Sequence, residues 1–218
     1  MPLPAVIQSA VHFERDGRIR IIEAEPTELE NAAMDLCHQL ADEALEAGNP
    51  PVGAVLVNNR SGEVWGARTN DKTERNLFGH GEILAYMIAQ PSIGNDLSDM
   101  TLVTSAQPCN TCTPPLAEGG IRRIVYAAPR PLVFAVCGIM RNREINMADL
   151  LQDGKTNTEV IAGYRAGEAL SRFVLYGELR GWEVMPTGTF DATPLPTGWE
   201  QASSGLATPN QPAFAFPE

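Results

Sequence analysis

The stretch "FGHGEILAYMIAQ", Phe78–Gln90, decides how this chain is read. A histidine, His80, stands two residues before a glutamate, Glu82, where an apolar helical pattern begins. Thirty residues on, "PCNTCTPP" places Cys109 and Cys112 at a CxxC spacing before two prolines. Pro114 and Pro115 suit a first helical turn, which has no use for the N–H groups they lack. Both stretches are therefore expected at helix starts, where the positive end of the helix dipole favours thiolate, the metal-binding form of cysteine.

Each half has ordinary readings. A CxxC can be two buried thiols, a redox pair or half of a structural zinc site. A four-cysteine site needs a second pair, and Cys37 and Cys137 stand alone. Taken together, His80, Cys109 and Cys112 are three ligands of the types zinc prefers, and three protein ligands leave a fourth position open, as in catalytic sites. Zinc lowers the pKa of water towards 7. A carboxylate just outside the ligand set, Glu82, can then take a proton and return it to a leaving amine. H-x-E followed by P-C-x-x-C is the signature of zinc-dependent base deaminases.

Outward from these motifs the elements alternate. "PTELENAAMDLCHQLADEALEAG" reads as a helix with a Thr27/Glu30 capping box, a stop near Gly48 and a buried stripe of Leu29, Ala33, Leu36, Leu40 and Ala44. "PVGAVLVNNRSGEVWGA" reads as a hairpin with its turn at 58–62. The helix at 81–90 is expected to stop at Pro91. "MTLVTSA" and "IRRIVYAA" read as strands, residues 129–143 as an irregular loop, and "TEVIAGYRAGEALSRFVLYGELRG" as one long helix. "RIRIIEAE" reads as an early strand. The order predicts a three-layer α/β/α domain with a central mixed sheet. The expected organisation is an N-terminal segment (1–25), the zinc domain (26–183) and a Pro/Gly-rich C-terminal part (184–218). That last part is read as disordered or as an arm anchored by Phe190, Trp199, Phe214 and Phe216.

The composition narrows partners. The 218 residues carry 16 basic and 27 acidic side chains, a net charge of −11, and the lysines are Lys72 and Lys155. Such a balance repels a phosphate backbone, so nucleic acid is disfavoured and a small molecule preferred. No stretch is long and apolar enough for a membrane helix, and no signal peptide is read. Few cysteines, two of them paired, suit a reducing compartment, taken as the cytoplasm.

The residues from about Glu28 to Ala128 resemble the cytidine deaminase-like superfamily, in the branch of free-base and tRNA adenosine deaminases. "PVGAVLV" matches that branch's second-strand pattern. "NNRSGEVWGARTN" and "HGE" resemble fungal-type cytosine deaminase, where the tRNA enzymes usually read HAE. The longer C-terminal helical portion resembles bacterial guanine deaminases. The resemblance implies a zinc-dependent hydrolytic deaminase of an aminated base, most simply free cytosine or guanine, working as a homodimer. A tRNA adenosine deaminase and a non-catalytic zinc-binding partner subunit are the alternatives. It further implies substrate contacts from Asn70 and from the Gly81 and Cys109 backbones. Gln107 departs from the Glu or Ser usual before Pro-Cys. Phe134 falls where an aromatic lid sits, or in the core. Asn70 also reads as a simple turn residue. His12 and His38 are assigned no chemistry.

Overall fold

The computed structural model describes residues 19–21, 25–70, 78–137, 147–152 and 157–184. Strands β1 (Ile19–Ile21), β2 (Gly53–Asn58), β3 (Val64–Arg68), β4 (Met100–Ala106), β5 (Arg123–Ala128) and β6 (Thr158–Ala162) form one sheet in the order β1-β6-β5-β4-β2-β3. Strands β1, β6, β5 and β4 run parallel, while β2 runs antiparallel to both β4 and β3. The sheet is mixed and both faces are covered, as the α/β/α reading expects.

Because both faces are buried, the central strands are apolar at nearly every position. Val55, Val57, Val103, Val125 and Ile161 face helices α1 (Glu28–Glu46), α4 (Arg130–Val136) and α6 (Ala166–Leu179). Ala54, Leu56, Leu102, Ile124 and Val160 face the opposite layer. That layer holds α2 (Gly81–Ile93), α3 (Thr113–Gly119) and α5 (Met147–Gln152). Among the described residues no helix is long and apolar enough to cross a membrane.

Helix α1 begins with the expected capping box. Thr27 Oγ1 accepts from the Glu30 N–H at 3.1 Å, and Glu30 Oε2 accepts from the Thr27 N–H at 2.8 Å. The same buried carboxylate pairs with Arg123 Nε at 2.7 Å, and Arg123 also meets Glu159 at 3.1 Å. One glutamate thus starts the helix and ties it to β5. The buried stripe is rotated from the expected one. Ala33 and Ala44 are buried, but Met34, Cys37, His38 and Ala41 complete the face, and Leu29 is 39% exposed. Leu36 and Leu40 lie half-buried over the hairpin, where Gly66 leaves them room.

Helix α1 crosses β2 at Gly53. A Cβ there would overlap the Cys37 carbonyl oxygen and come within 2.7 Å of Leu40 Cβ. Two backbone elements touch, and neither can yield locally. Gly53→Val is expected to cost about 3 kcal/mol or more. Urea unfolding checks this, and a change below about 0.5 kcal/mol would contradict the close approach.

His38 is buried against α6. Its Nδ1 lies 3.4 Å from Arg172 Nη1 and its Nε2 3.7 Å from Glu168 Oε2. Burial pushes the imidazole pKa down to about 4; Arg172 and Arg165 push the same way, and Glu168 and Asp42 oppose them. The unfolded chain binds this proton near pH 6.5, and the folded one does not until about 4. Stability is therefore present above that window and lost as pH falls through it, by up to about 3 kcal/mol. In His38→Gln the urea midpoint is expected to fall less between pH 7 and 4.5 than in the wild type. Parallel pH profiles would refute the assignment.

Three sequence expectations need correction. Pro91 does not stop α2, which runs to Ile93 and closes at Gly94, φ 69°. The missing proline donor falls in the last turn, opposite the carbonyl of Met87, a residue 59% exposed. Residues 130–136 are helix α4 rather than irregular loop. The presumed long C-terminal helix is strand β6, then a turn, then α6. Gly163 at φ 75° and Arg165 at φ 56° break the chain there. The proposed arm, Phe190, Trp199, Phe214 and Phe216 included, lies outside the described residues, as do His12 and most of segment 1–25.

Candidate active site

Two helix starts meet at one end of the sheet. His80 is the N-cap of α2 and Cys112 the N-cap of α3, with Cys109 one turn before it. The turn is closed by backbone bonds from the Cys112 and Thr113 N–H groups to the Cys109 carbonyl, and by side chains. Thr113 Oγ1 donates to the Cys109 carbonyl at 2.9 Å, and the Thr111 N–H points at Cys109 Sγ at 3.3 Å.

His80 Nδ1 lies 3.3 Å from Cys109 Sγ and 3.4 Å from Cys112 Sγ, and the two sulfurs are 3.5 Å apart. A tetrahedral zinc with ordinary Zn–N and Zn–S bonds has ligand–ligand edges of about 3.5–3.8 Å. The triangle is slightly tighter than one face of that tetrahedron, so the donor set fits the ion in chemistry and size. It is the one such group of three among the described residues. The hydrogen bond from Cys112 pulls the Cys109 thiol down to about 3, against its burial and with help from His80. That bond, with burial and the Glu82 charge, holds the Cys112 thiol far up.

Glu82 sits in the first turn of α2, 4% exposed, with Oε2 3.5 Å from Cys112 Sγ. Burial, and secondarily the negative Cys109, raise its pKa to about 7. This is a proton carrier's environment, since a carboxyl poised near neutrality both accepts and donates.

The segment after β3 runs alongside the start of α2. The Asn70 N–H donates to the Gly79 carbonyl at 2.8 Å, and the Gly81 N–H to Thr69 Oγ1 at 3.1 Å. Asn70 Oδ1 is buried without a hydrogen-bond partner among the described residues. A buried acceptor left without a partner normally costs stability. Gly81 has a packing reason. A Cβ there would lie 3.1 Å from the Ala67 carbonyl and 3.3 Å from that of Val52, so HGE lets α2 press onto the hairpin backbone.

The remaining expected residues are placed around this centre. Gln107 Oε1 accepts from the Arg130 N–H at 3.1 Å, tying the end of β4 to the start of α4. Phe134 is half-buried on α4, with the Arg130 guanidinium 4.9 Å from its ring centroid. Cys37 and Cys137 are buried in the α1/α4/α6 core. Thr69 and Thr113 were missed by sequence reasoning. Neither carries a local signal: Thr69 serves an N–H in another element, and Thr113 looks like any threonine in a first helical turn.

Residues 27–128 match the family model of the cytidine and deoxycytidylate deaminase zinc-binding region. The chain is 37% identical over 161 residues to the tRNA(Ile)-lysidine synthase of Deinococcus radiodurans, covering 71% of this chain and 26% of that one. It spans only about a quarter of the length of the first curated relatives it matches. With the tRNA-specific adenosine deaminase of Bacillus subtilis it shares 31% identity over 147 residues, 64% of this chain and 84% of the relative. Among solved structures, guanine deaminase from Nitrosomonas europaea superposes with a TM-score of 0.58 at 27% identity, covering 73% of this chain and 87% of that one.

Proposed function

The chain belongs to the cytidine deaminase-like superfamily, a zinc-binding family whose deaminases hydrolyse C–N bonds, and from that premise we propose that it deaminates a free aminated base, guanine or cytosine, releasing ammonia. The observation that carries this reading is the buried carboxyl of Glu82 beside the His80/Cys109/Cys112 triangle. A purely structural metal site has no use for it.

In this reading His80, Cys109 and Cys112 hold zinc, which when bound supplies the Lewis acidity that activates water towards the amine-bearing ring carbon. Glu82 takes a proton at its carboxylate and returns it to the departing nitrogen. Asn70 Oδ1, the orphaned acceptor, receives a ring N–H and orients the base. The Gly81 N–H already serves Thr69, and the Cys109 carbonyl already accepts from Thr113, so Asn70 carries most of the recognition on this side. Phe134 lies over the base from α4. The catalytic domain is 26–183, and the protein acts as a cytoplasmic homodimer.

Charge favours the small substrate. Arg60 pairs with Asp99, Arg123 with Glu30 and Glu159, Arg165 with Asp35 and Glu168, and Arg172 with Asp42. These guanidinium groups are already neutralised by carboxylates, on a chain of net charge −11. The acidic balance of the chain disfavours a phosphate backbone. The similarity to the Bacillus subtilis tRNA enzyme supports the second reading, action on a tRNA adenosine.

A screen for ammonia release over guanine, cytosine, adenine, their nucleosides and an adenosine-bearing anticodon stem-loop separates the readings. Turnover of a free base is expected. Inosine formed in the stem-loop, with no free base consumed, would establish the second reading instead. A fully metallated protein inactive on all of them would leave a non-catalytic partner subunit.

A further inference from the structure

Helix α2 starts with its usual capping device missing. An N-cap side chain ordinarily turns back to accept the N–H of the second or third helical residue, and it does not reach that of the first. His80 holds the N-cap position with extended backbone, φ −82° and ψ 140°, and makes no side-chain cap bond. Its Nδ1 faces the two cysteine sulfurs instead. The first helical N–H, that of Gly81, is buried and still needs an acceptor.

That acceptor comes from twelve residues upstream. Thr69 is 3% exposed, and its Oγ1 takes the Gly81 N–H at 3.1 Å. Thr69 is itself fixed. Its N–H donates to the Val52 carbonyl at 2.8 Å, and the next residue's N–H donates to the Gly79 carbonyl at 2.8 Å. Gly81 is pressed against the hairpin backbone, so the His80–Gly81 peptide has little room to tilt. The hydroxyl sets the tilt that remains.

We infer that Thr69 is a positioning residue for the metal centre: its hydroxyl accepts the Gly81 N–H, the first of helix α2, and so fixes the His80–Gly81 peptide in the orientation that turns the imidazole toward Cys109 and Cys112. The inference rests on the reading of those three side chains as zinc ligands. Without the hydroxyl, the buried Gly81 N–H has no partner, and the peptide carrying His80 rotates to find one.

The test uses the full chain and three variants. Thr69→Val keeps the shape and removes the acceptor, while Thr69→Ser keeps the acceptor. Thr69→Ala repeats the removal with a smaller side chain, should valine disturb folding. Zinc affinity is measured by competition with a chromogenic chelator, and the ligand geometry by the absorption bands of the cobalt(II)-substituted protein. The expected result is a loss of about tenfold or more in zinc affinity for Thr69→Val or Thr69→Ala, as for other groups that orient metal ligands. Altered cobalt bands are expected with it, and both readouts should return in Thr69→Ser. A merely structural threonine would lower the melting temperature yet leave affinity and cobalt spectrum at wild type, and that result overturns the inference. Cys112→Ser in the same assay separates two failures. Undiminished zinc affinity there overturns the ligand assignment and the inference with it. Zinc loss there, beside wild-type affinity in Thr69→Val, overturns the inference alone.

Discussion

Glu82→Gln is expected to lower turnover by about 10²- to 10⁴-fold, the range of a lost general acid–base, while bound zinc stays at the wild-type level. Glutamine keeps the size and hydrogen-bonding shape of the side chain but cannot carry a proton at neutral pH. Glu82 lies 3.5 Å from Cys112 Sγ, outside the His/Cys/Cys triangle, so its replacement removes no donor from that set. Its raised pKa, about 7, arises chiefly from burial, a cost the protein has no structural reason to bear. Ammonia release alongside metal analysis reads both halves of the expectation. Activity within tenfold of wild type, or a protein stripped of zinc, would sink the proton-carrier role.

Cys112→Ser is expected to bring zinc content and turnover to background and to abolish the stabilisation that added zinc confers. Serine is among the best N-cap residues, so the start of α3 is not itself endangered. What changes is the donor. Cys112 is fully buried beside Cys109 and His80, and a hydroxyl is a poor replacement for thiolate on zinc. A ligand that binds only the folded state raises the melting temperature with its concentration. The wild type should therefore melt higher in zinc than in chelator, and Cys112→Ser should melt at the same temperature in both. A variant with stoichiometric zinc and normal turnover would refute the ligand set.

The parts of this fold that were readable in the sequence are those written in short spacings. The Thr27/Glu30 box spans four residues and appears in the structure bond for bond. His80–Glu82 and Cys109–Cys112 are pairs whose spacing carries their chemistry, and the fold brings them within 3.5 Å of one another. What was not readable depends on distant partners. Strand β6 hides in an apolar run that continues into α6, because helix and buried strand look alike until Gly163 and Arg165 turn the chain. His38, assigned no chemistry from the sequence, shows its burial only when Arg172 and Glu168, more than a hundred residues on, close over it. Thr69 has no local mark at all, since the donor it serves is in another element.

Helices α1 and α6 lie side by side and are clasped at three levels, by Arg165 to Asp35, Arg172 to Asp42, and Arg180 to the Gly48 carbonyl. Each clasp joins residues about 130 positions apart. During synthesis all three zinc-ligand candidates are in the chain by residue 112, whereas Ala169, Leu170, Phe173 and Val174, which complete one face of the sheet beside α1 and α4, come more than fifty residues later. The nascent chain therefore carries all three candidate ligands while the part of that face later covered by α6 is still open. This interval, in which exposed apolar surface invites chaperone holding or misassembly, ends when α6 latches onto α1, and pulse proteolysis of chains stalled before Ala166 would measure it.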